Sequence, residues 1–498
     1  MTALPLFPAR DEFLVLAGKG NLIPVYTEFV ADFETPVGAF EKLDDGFRSF
    51  LLESAESNDH VGRYSFLGSE PRIYFEARGT HIRIEENGHK REFETSTDPL
   101  TELQRLMSAF KPVEVPGLAP FSGGAVGYIG YDAVRFFEPT VGESPPDQLG
   151  IPDMVFIVTD TFLVFDHRFR RLKIFANAFV DGKKPEAVYD EASQKIERII
   201  KKLEVPTRPR LMNAAPIAPS PNPRSNTSRM EFHEMVRSAK RHIEAGDIFQ
   251  VVPSQRFEVL FKGDPLTLYR ALRFVNPSPY MFCLRLGDRF ALVGSSPEVH
   301  VRLRKQTVEI RPIAGTRKRG ATAAEDQRLA EELLADPKER AEHLMLVDLA
   351  RNDVGRISEF GSVKVTEFMA IERYSHVMHI VSNVVGKLGR NYSAYDVMRA
   401  TFPAGTVSGA PKVRAMQLIY EFEKSKRGVY AGAVGYFGFD GQLDSCIALR
   451  STVLKDGMAF VQAGGGVVAD SDPEFEYQES VNKAMATFRA IDMAEQIS

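Results

Sequence analysis

The 498-residue sequence lacks the features that mark secreted and membrane proteins. Its only two cysteines, Cys283 and Cys446, cannot form a disulfide framework, which indicates a reducing compartment. No run of about 20 apolar residues occurs, so we expect no segment that spans a bilayer. The acidic pair Asp11-Glu12 follows a short apolar start, which is not the pattern of a signal peptide. We therefore expect a cytoplasmic protein.

Several common chemistries are also missing from the sequence. There is no G-x-x-x-x-G-K-[ST] motif for a P-loop and no H-E-x-x-H or C-x-x-C motif for zinc. Neither cysteine lies in a glycine-flanked nucleophile turn, so both are expected to be buried strand residues. The formal net charge is only −5, which argues against a protein that coats nucleic acid or an anionic membrane. Tryptophan is absent altogether, although phenylalanine occurs 36 times.

What remains is the composition of a globular protein of two or three domains, with 44% hydrophobic and 26% charged residues. Six prolines from Pro206 to Pro223 predict a linker over residues 206–227, because such a stretch cannot hold a helix or a central strand. The sequence therefore predicts a strand-rich N-terminal part over 1–205. A mixed part follows over 228–498, opened by a capping box at Ser228 and Glu231.

Hydrophobic periodicity predicts the elements of both parts. Helices are predicted over 185–204, 264–274, 322–335, 337–355, 393–401, 411–424 and 473–495. Strands are predicted over 63–68, 72–76, 81–85, 153–166, 280–286, 289–294, 299–303, 307–311, 430–439, 444–454 and 458–463.

One internal similarity relates the two parts of the chain. Residues 123–132 and 431–440 match at seven of ten positions and share their glycine spacing. Either two glycine-kinked strands have converged on similar packing, or each part contributes an equivalent strand to one of two facing sheets.

The positive chemical signals are three anion-binding segments. Arg311–Gly320 ends a strand in a basic turn, where backbone amides near Gly315 and the Thr316 hydroxyl could hold a carboxylate. Gly405–Lys412 opens a helix whose free amides could bind an anion. The glycines at 464–466 would let a ligand touch the backbone after a strand. Taken singly, a solvated basic loop and ordinary helix caps explain the first two equally well.

Two acidic helices raise the possibility of a metal. The predicted helix at 337–355 carries Glu339 and Glu342, and the helix at 473–495 carries Glu474, Glu476 and Glu479. Carboxylates on two facing helices would suit octahedral magnesium. The same residues could instead complement helix dipoles, and Glu479 could form a surface pair with Lys483 four residues later.

Taken together, these motifs resemble those of the chorismate-utilising enzymes. The resemblance covers nearly the whole chain and is carried by Leu51–Ser54, Asn276–Met281, Pro312–Arg317, Glu342–Asp353, Arg373–His379, Thr406–Lys412, Gln462–Gly466 and Glu479. It implies an α+β fold, a large sandwich of two facing, mainly antiparallel sheets with helices on the outside.

The resemblance also implies roles for particular residues. It identifies Glu342 and Glu479 as magnesium ligands and Glu298 and His379 as catalytic residues, with Glu298 as the general acid. Chorismate would be held by Gly315, Thr316, Tyr430, Arg450, Gly464, Gly465 and Gly466. An inhibitor pocket for tryptophan would be formed by Ser54, Pro279, Tyr280 and Met281.

Two positions favour the branch of this family that makes anthranilate and pyruvate from chorismate and ammonia in tryptophan biosynthesis. Aminodeoxychorismate-forming members typically carry a nucleophilic lysine where this chain has Ala314, and isochorismate-forming members carry a water-activating lysine where it has Gln250. Those two activities are the alternatives, together with a non-catalytic tryptophan-binding regulator. The ammonia would come from glutamine through a separate amidotransferase subunit, in a heterotetramer of two copies of each chain.

Overall fold

Strands from both sides of the proline-rich segment build the same sheets. The computed structural model describes residues 4–54, 62–115, 117–207, 211–212, 223–374 and 377–496, so much of the predicted linker lies outside the described residues. Within these ranges, sheet 1 has eleven strands, sheet 2 has twelve, and neighbouring strands in both pair antiparallel. The expected α+β class and mainly antiparallel architecture are confirmed.

Sheet 1 runs from N-terminal strands at one edge to C-terminal strands at the other. In spatial order it contains β1 (Leu22–Val30), β10 (Arg171–Phe179), β9 (Thr161–Asp166), β3 (Tyr64–Ser69), β2 (Arg48–Glu53), β14 (Tyr280–Leu286), β15 (Phe290–Ser296), β24 (Ser451–Lys455), β25 (Met458–Gly464), β13 (Ser254–Leu260) and β11 (Arg224–Ser225). The two parts of the chain meet where β2 pairs with β14.

Sheet 2 is divided in the same way. In spatial order it contains β18 (Ile313–Lys318), β20 (Val377–Lys387), β17 (Thr307–Ile310), β16 (Val299–Arg304), β23 (Leu443–Ile447), β22 (Ala433–Gly438), β7 (Gly124–Ile129), β8 (Met154–Thr159), β4 (Ile73–Arg78), β5 (His81–Glu86) and β6 (His89–Glu94), while β19 (Lys364–Arg373) pairs with β20. A short ladder joins β12 (Gln250–Val251) to β21 (Gly409–Ala410).

Helices cover the outer faces of both sheets. Those that pack on sheet 1 are α1 (Arg10–Leu16), α2 (Pro36–Leu43), α5 (Pro185–Leu203), α7 (Pro265–Val275) and α12 (Pro473–Glu495). Those on the side of sheet 2 are α3 (Pro99–Ser108), α4 (Val134–Phe137), α6 (Arg229–Glu244), α8 (Ala323–Ala335), α9 (Pro337–Gly355), α10 (Ala394–Thr401) and α11 (Lys412–Phe422). None of the helices in the described ranges is long and apolar enough to cross a membrane.

A third apolar cluster fills the space between the sheets. Phe50 and Phe162 project into it from sheet 1, while Val126 and Tyr436 enter it from sheet 2. The alternate side chains of each strand thus enter either this central layer or a helix-covered outer layer, as expected for facing sheets. Both cysteines are fully buried, Cys283 on β14 and Cys446 on β23, and burial raises the pKa of each thiol.

The matching glycine strands lie beside each other rather than in facing sheets, so that interpretation of the repeat was wrong. β7 pairs with β22, and Gly127 stands opposite Gly435. A Cβ on Gly127 would come within 1.9 Å of the Val155 carbonyl oxygen, and one on Gly435 within 2.1 Å of the Asp444 carbonyl oxygen. The glycines therefore allow neighbouring backbones to approach at the junction between the two parts.

Two continuous β patterns are in fact pairs of strands in different sheets. The pattern at 153–166 divides into β8 and β9 at Asp160, and the pattern at 444–454 divides into β23 and β24 near Arg450, where φ is +48°. The predicted strands at 289–294 and 299–303, although close in sequence, also belong to different sheets, because β15 lies in sheet 1 and β16 in sheet 2. A segment that passes from one sheet to the other shows one unbroken apolar pattern in the sequence, because its residues are buried in both sheets.

Candidate active site

The two acidic helices begin with the same capping arrangement. Asp336 caps α9 and Asp472 caps α12, and each side chain accepts hydrogen bonds from two backbone N–H groups of the first turn. Pro337 and Pro473 follow as the first helical residues, where proline's lack of a backbone N–H group loses no hydrogen bond within the helix. These caps fix the point at which each helix starts and therefore the face on which its glutamates lie.

Each helix presents two glutamates three residues apart, which lie on one helical face. On α9, the Glu342 carboxylate accepts a 3.3 Å hydrogen bond from the Gln250 side chain. Burial raises the pKa of Glu342, and the negative charges of Glu339 and of Glu479 on α12 raise it further. The two helices therefore bring Glu342 and Glu479 within electrostatic range of one another, which the sequence alone could not establish.

Of the two α12 carboxylates, Glu476 is the poorly compensated one. Glu476 is buried, and one of its oxygens, Oε2, has no hydrogen-bond partner among the described residues. Burial and the neighbouring Glu479 raise the pKa of Glu476 to about 7. Lys483 lies 2.8 Å from Glu479, and its ammonium group also donates to the Gly464 carbonyl at 3.0 Å. Such an orphaned buried oxygen among like charges fits a site for a cation.

The protein does not enclose a metal by itself. In the described part of the chain, no three or more His, Cys, Asp or Glu side chains are grouped so as to hold an ion. Magnesium commonly takes one or two carboxylates and completes its octahedron with water or substrate oxygens. Glu342 and Glu479 fit that mode of binding, in which part of the coordination comes from outside the protein.

The glycine run after β25 lies directly against these carboxylates. A Cβ on Gly465 would be 3.0 Å from Glu476 Oε2, and one on Gly466 would be 2.4 Å from the Gln250 side-chain nitrogen. Gly464 is equally confined, because a Cβ there would lie 2.3 Å from the Pro253 carbonyl oxygen. Its backbone N–H group donates to the Tyr430 hydroxyl, and burial raises the pKa of Tyr430 to about 12. The run is thus a strip of open backbone beside the acidic groups.

Glu298 stands in the short connection between β15 and β16. Its side chain is buried, and the Thr406 hydroxyl donates to its Oε1 atom at 2.7 Å. Burial raises the pKa of Glu298 to about 8, although Thr406, the Ile313 backbone N–H group and the charge of Arg450 oppose the shift. At neutral pH this carboxyl group therefore carries its proton, as a general acid must.

His379 lies opposite Thr316 where β20 pairs with β18. Its Nδ1 atom is 2.8 Å from the carbonyl oxygen of Gly315 and 3.1 Å from the Thr316 hydroxyl. Because a carbonyl oxygen can only accept, Nδ1 carries the proton and Nε2 is left as an unprotonated nitrogen. Burial lowers the pKa of His379, and the charge of Arg450 also acts to lower it, so the neutral ring is favoured.

The sequence-predicted residues form one connected set. Arg450 lies within electrostatic range of both Glu298 and His379. Glu339 joins this group to the acidic helices, because its carboxylate pairs with Arg317 at 3.0 Å and lies 3.1 Å from the position of a Cβ on Gly315. Gly315, where φ is +70°, occupies the bulge of β18 that turns Thr316 toward His379.

Three neighbours of this set were not among the predicted site residues. Thr406 was recognised only as part of an anion-binding segment, but its hydroxyl bonds Glu298. Glu339 and Glu476 were recognised as helix acids, but not as part of the site. The repeated Glu-x-x-Glu spacing in α9 and α12 was the available signal, since residues three apart share a helical face.

The four residues of the predicted inhibitor pocket line one separate cavity. Ser54, Pro279, Tyr280 and Met281 all lie on the wall of a space of about 720 Å³. The pairing of β2 with β14, in which Met281 stands opposite Glu53, brings the two segments together. The cavity also contains Arg302, Arg304 and Asp444, and the Tyr280 hydroxyl donates to Asp444 at 2.8 Å.

Comparisons with known proteins agree on one family. A family model described as a chorismate binding enzyme matches residues 50–489. The chain is 48% identical over 493 residues to anthranilate synthase component 1 of Pseudomonas putida, covering 98% of this chain and 99% of that protein. It is 49% identical over 488 residues to the same component of Aquifex aeolicus, covering 98% of each. The crystal structure of anthranilate synthase component I from Streptococcus pneumoniae superposes with a TM-score of 0.75 at 36% identity, covering 92% of this chain and 98% of that one.

The buried state of Glu298 gives a prediction that requires no turnover. We expect infrared difference spectroscopy to show a carboxylic acid band that persists at neutral pH and disappears around a pH of about 8. Burial disfavours the carboxylate, so the acid form dominates below that pH and is lost above it. The band should be missing in Glu298→Gln and retained in Glu476→Gln. A Glu298 that is already ionised at pH 6 would contradict the assignment of this group as a proton donor.

Proposed function

The chain belongs to the chorismate-binding enzyme family, and we propose that it is the chorismate-converting component of an anthranilate synthase. In that role it converts chorismate and ammonia to anthranilate, pyruvate and water, in the first committed step of tryptophan biosynthesis. The observation that carries the proposal is the buried, protonated Glu298 within electrostatic range of Arg450, which also acts on the neutral His379.

Ammonia adds to ring carbon 2 of chorismate while the hydroxyl group on ring carbon 4 departs. Hydroxide is a poor leaving group, so Glu298 donates its proton to that oxygen and water leaves. Thr406 and the Ile313 backbone N–H group then hold the carboxylate that results. The guanidinium group of Arg450 and the open backbone at 464–466 bind substrate carboxylates through charge-assisted hydrogen bonds.

The second half of the reaction requires loss of the proton on ring carbon 2 and release of pyruvate, which makes the ring aromatic. His379 is suited to take that proton, because its Nδ1–H group is fixed on Gly315 and its Nε2 lone pair is free of a proton. A burial-lowered pKa keeps the ring in this neutral form.

Glu342 and Glu479 would hold magnesium, with Glu339 and Glu476 beside them. When bound, the ion supplies positive charge for a substrate carboxylate and for the charge that develops as the ring rearranges. The raised pKa values of Glu342 and Glu476 support this role, since burial and the neighbouring glutamates both disfavour the carboxylates and a cation would offset these effects.

Two side chains favour anthranilate formation over the related activities. Ala314 lies on β18 and offers no nucleophile, so ammonia must attack the ring directly. Gln250 donates its neutral amide to Glu342 and cannot deprotonate water. Both buried cysteines have raised pKa values, so neither can be the activated thiolate of a glutaminase. We infer that a separate amidotransferase subunit supplies ammonia, in a heterotetramer of two copies of each chain, in the cytoplasm.

The proposed activity is tested by following anthranilate fluorescence. We expect the purified chain with chorismate, magnesium and saturating free ammonia to form anthranilate, and we expect no product with glutamine as the nitrogen source. Glu298→Gln should lower turnover by roughly 100- to 10,000-fold, the usual contribution of a general acid. Glu331→Gln, on the exposed face of α8, is the matched control. Isochorismate or aminodeoxychorismate as the product, identified by chromatography, would overturn the proposal.

The metal assignment predicts a separation of stability from activity. Glu342→Gln and Glu479→Gln should each lower turnover by at least roughly 100-fold, because a metal ligand is lost. Each variant should unfold at the same or a higher temperature than the parent in the absence of magnesium, because one of several like charges is removed. Magnesium should raise the unfolding temperature of the parent and of Glu331→Gln, but not of the ligand variants. Full activity in excess chelator contradicts the assignment.

We also propose that tryptophan inhibits the enzyme by binding in the cavity lined by Ser54, Pro279, Tyr280 and Met281. Tyr280 and Met281 offer apolar contact for an indole ring, and the proline-flanked backbone offers carbonyl groups for an ammonium group. The absence of tryptophan from the chain would let the enzyme be made when this amino acid is scarce.

A phenylalanine at position 54 should occupy part of this cavity. We expect Ser54→Phe to raise the tryptophan concentration for half-inhibition by roughly tenfold or more. Its rate without tryptophan should change little, since the cavity shares no residue with the proposed catalytic set. Ser108→Phe, at the exposed end of α3, serves as the control for a surface phenylalanine. Equal sensitivity of Ser54→Phe and the parent would show that tryptophan binds elsewhere or not at all.

A further inference from the structure

A second polar cavity lies at the edge of sheet 1 that is formed by β13 and β11. Its volume is about 560 Å³, and it shares no residue with the candidate active site or with the inhibitor cavity. The residues that line it come from strands β11, β13, β24 and β25 and from three loops: Gln148, Leu149, Arg224, Ser225, Asn226, Arg256, Glu258, Lys455, Asp456, Met458 and Phe460.

The unusual feature of this cavity is a buried arginine without a counterion. Arg256 is only 6% exposed. Its guanidinium group donates to the Lys426 carbonyl oxygen at 3.3 Å and to the Gln148 side-chain oxygen at 2.8 Å, and it forms no ion pair with a carboxylate in the described part of the chain. A guanidinium group has five N–H donors, so most of its donor capacity is not used by these two neutral acceptors.

A second cation on the same wall is in a similar position. The Lys455 ammonium group donates to the backbone carbonyls of Leu149 and Gly150, at 2.5 and 3.3 Å, and forms no ion pair among the described residues. Of the two acids that line the cavity, Glu258 lies 3.9 Å from Arg224, and Asp456 forms no ion pair with either cation in that part of the chain. The cavity therefore holds three cations and two carboxylates, with its two best-buried cations satisfied only by neutral oxygens.

The electrostatics of Arg256 agree with this geometry. Burial lowers its pKa, and the negative charges of Glu258, Asp147 and Glu423 only partly offset that effect. A charge that has been removed from water without a partner is costly, and a bound anion would supply the missing partner.

We propose that this cavity binds a small organic carboxylate through Arg256 and Lys455. The planar fork of a guanidinium group matches the two oxygens of a carboxylate, while an ammonium group adds a point charge. Leu149, Met458 and Phe460 supply an apolar surface that suits the organic body of such a ligand better than it suits a bare inorganic ion.

The test uses 4-fluorobenzoate as the probe and fluorine NMR as the readout, with the full chain and without chorismate or magnesium. We expect saturable binding that weakens roughly tenfold or more in Arg256→Met and in Lys455→Met, because each removes a charge-assisted hydrogen bond. Lys262→Met, at an exposed lysine outside the cavity, is the matched control and should bind as the parent does. If Arg256→Met fails to fold, Lys455→Met, at a half-buried position, carries the test.

The probe could also enter the proposed chorismate site, so Arg450→Met separates the two. Binding that is lost in Arg450→Met but unchanged in Arg256→Met and Lys455→Met would overturn the proposal. Preferential binding of inorganic phosphate, measured by competition with the probe, would overturn the choice of an organic carboxylate. None of these measurements depends on turnover, so their outcome is independent of whether the chain makes anthranilate.

Discussion

Two strand pairings hold the molecule together, and the rest of the structure depends on them. In sheet 1 the N-terminal strands meet the C-terminal strands where β2 pairs with β14, and in sheet 2 they meet where β7 pairs with β22. The second junction requires glycine at 127 and 435, because any Cβ there would overlap a neighbouring carbonyl group. Neither part of the chain can complete either sheet alone, so the apolar layer between the sheets forms only when both junctions form.

On this frame, the proposed active site is defined by the environments of its carboxyl groups. Glu298 and Glu476 are both buried and each has a hydroxyl donor, Thr406 and Ser471 respectively, but only Glu476 has another glutamate as its neighbour. Burial leaves Glu298 protonated and ready to donate a proton. At α9 and α12, burial together with repulsion between glutamates raises the pKa values of Glu342 and Glu476, which suits the proposed cation site. In the proposed site the same residue type would thus serve two purposes because its neighbours differ.

The sequence predicted what is determined locally. Helix α9 begins at Pro337 and ends at Gly355 as expected, because an Asp-Pro cap and a continuous helical pattern lie within that segment. The sequence could not show that the β patterns around Asp160 and Arg450 pass from one sheet to the other, since both strands of each pair are buried. Nor could it place Thr406 on Glu298, which lies 108 residues away in the chain. The site residues came from the family resemblance, and the Glu-x-x-Glu spacing alone would have added Glu339 and Glu476.

The junction between the parts also offers a physical route for regulation. The proposed inhibitor cavity lies at the β2–β14 junction, where Tyr280 donates to Asp444, and Asp444 accepts from Arg302. Arg302 is on β16 and Asp444 is on β23, and these paired strands lead to Glu298, whose carbonyl accepts from the Ile447 backbone N–H group at 3.0 Å. A ligand that altered the pairing at this junction would therefore act on the two strands that hold the proposed acid. Inhibition from this cavity requires that tryptophan bind more tightly to one arrangement of these strands than to another, because a ligand shifts an equilibrium only by its difference in affinity.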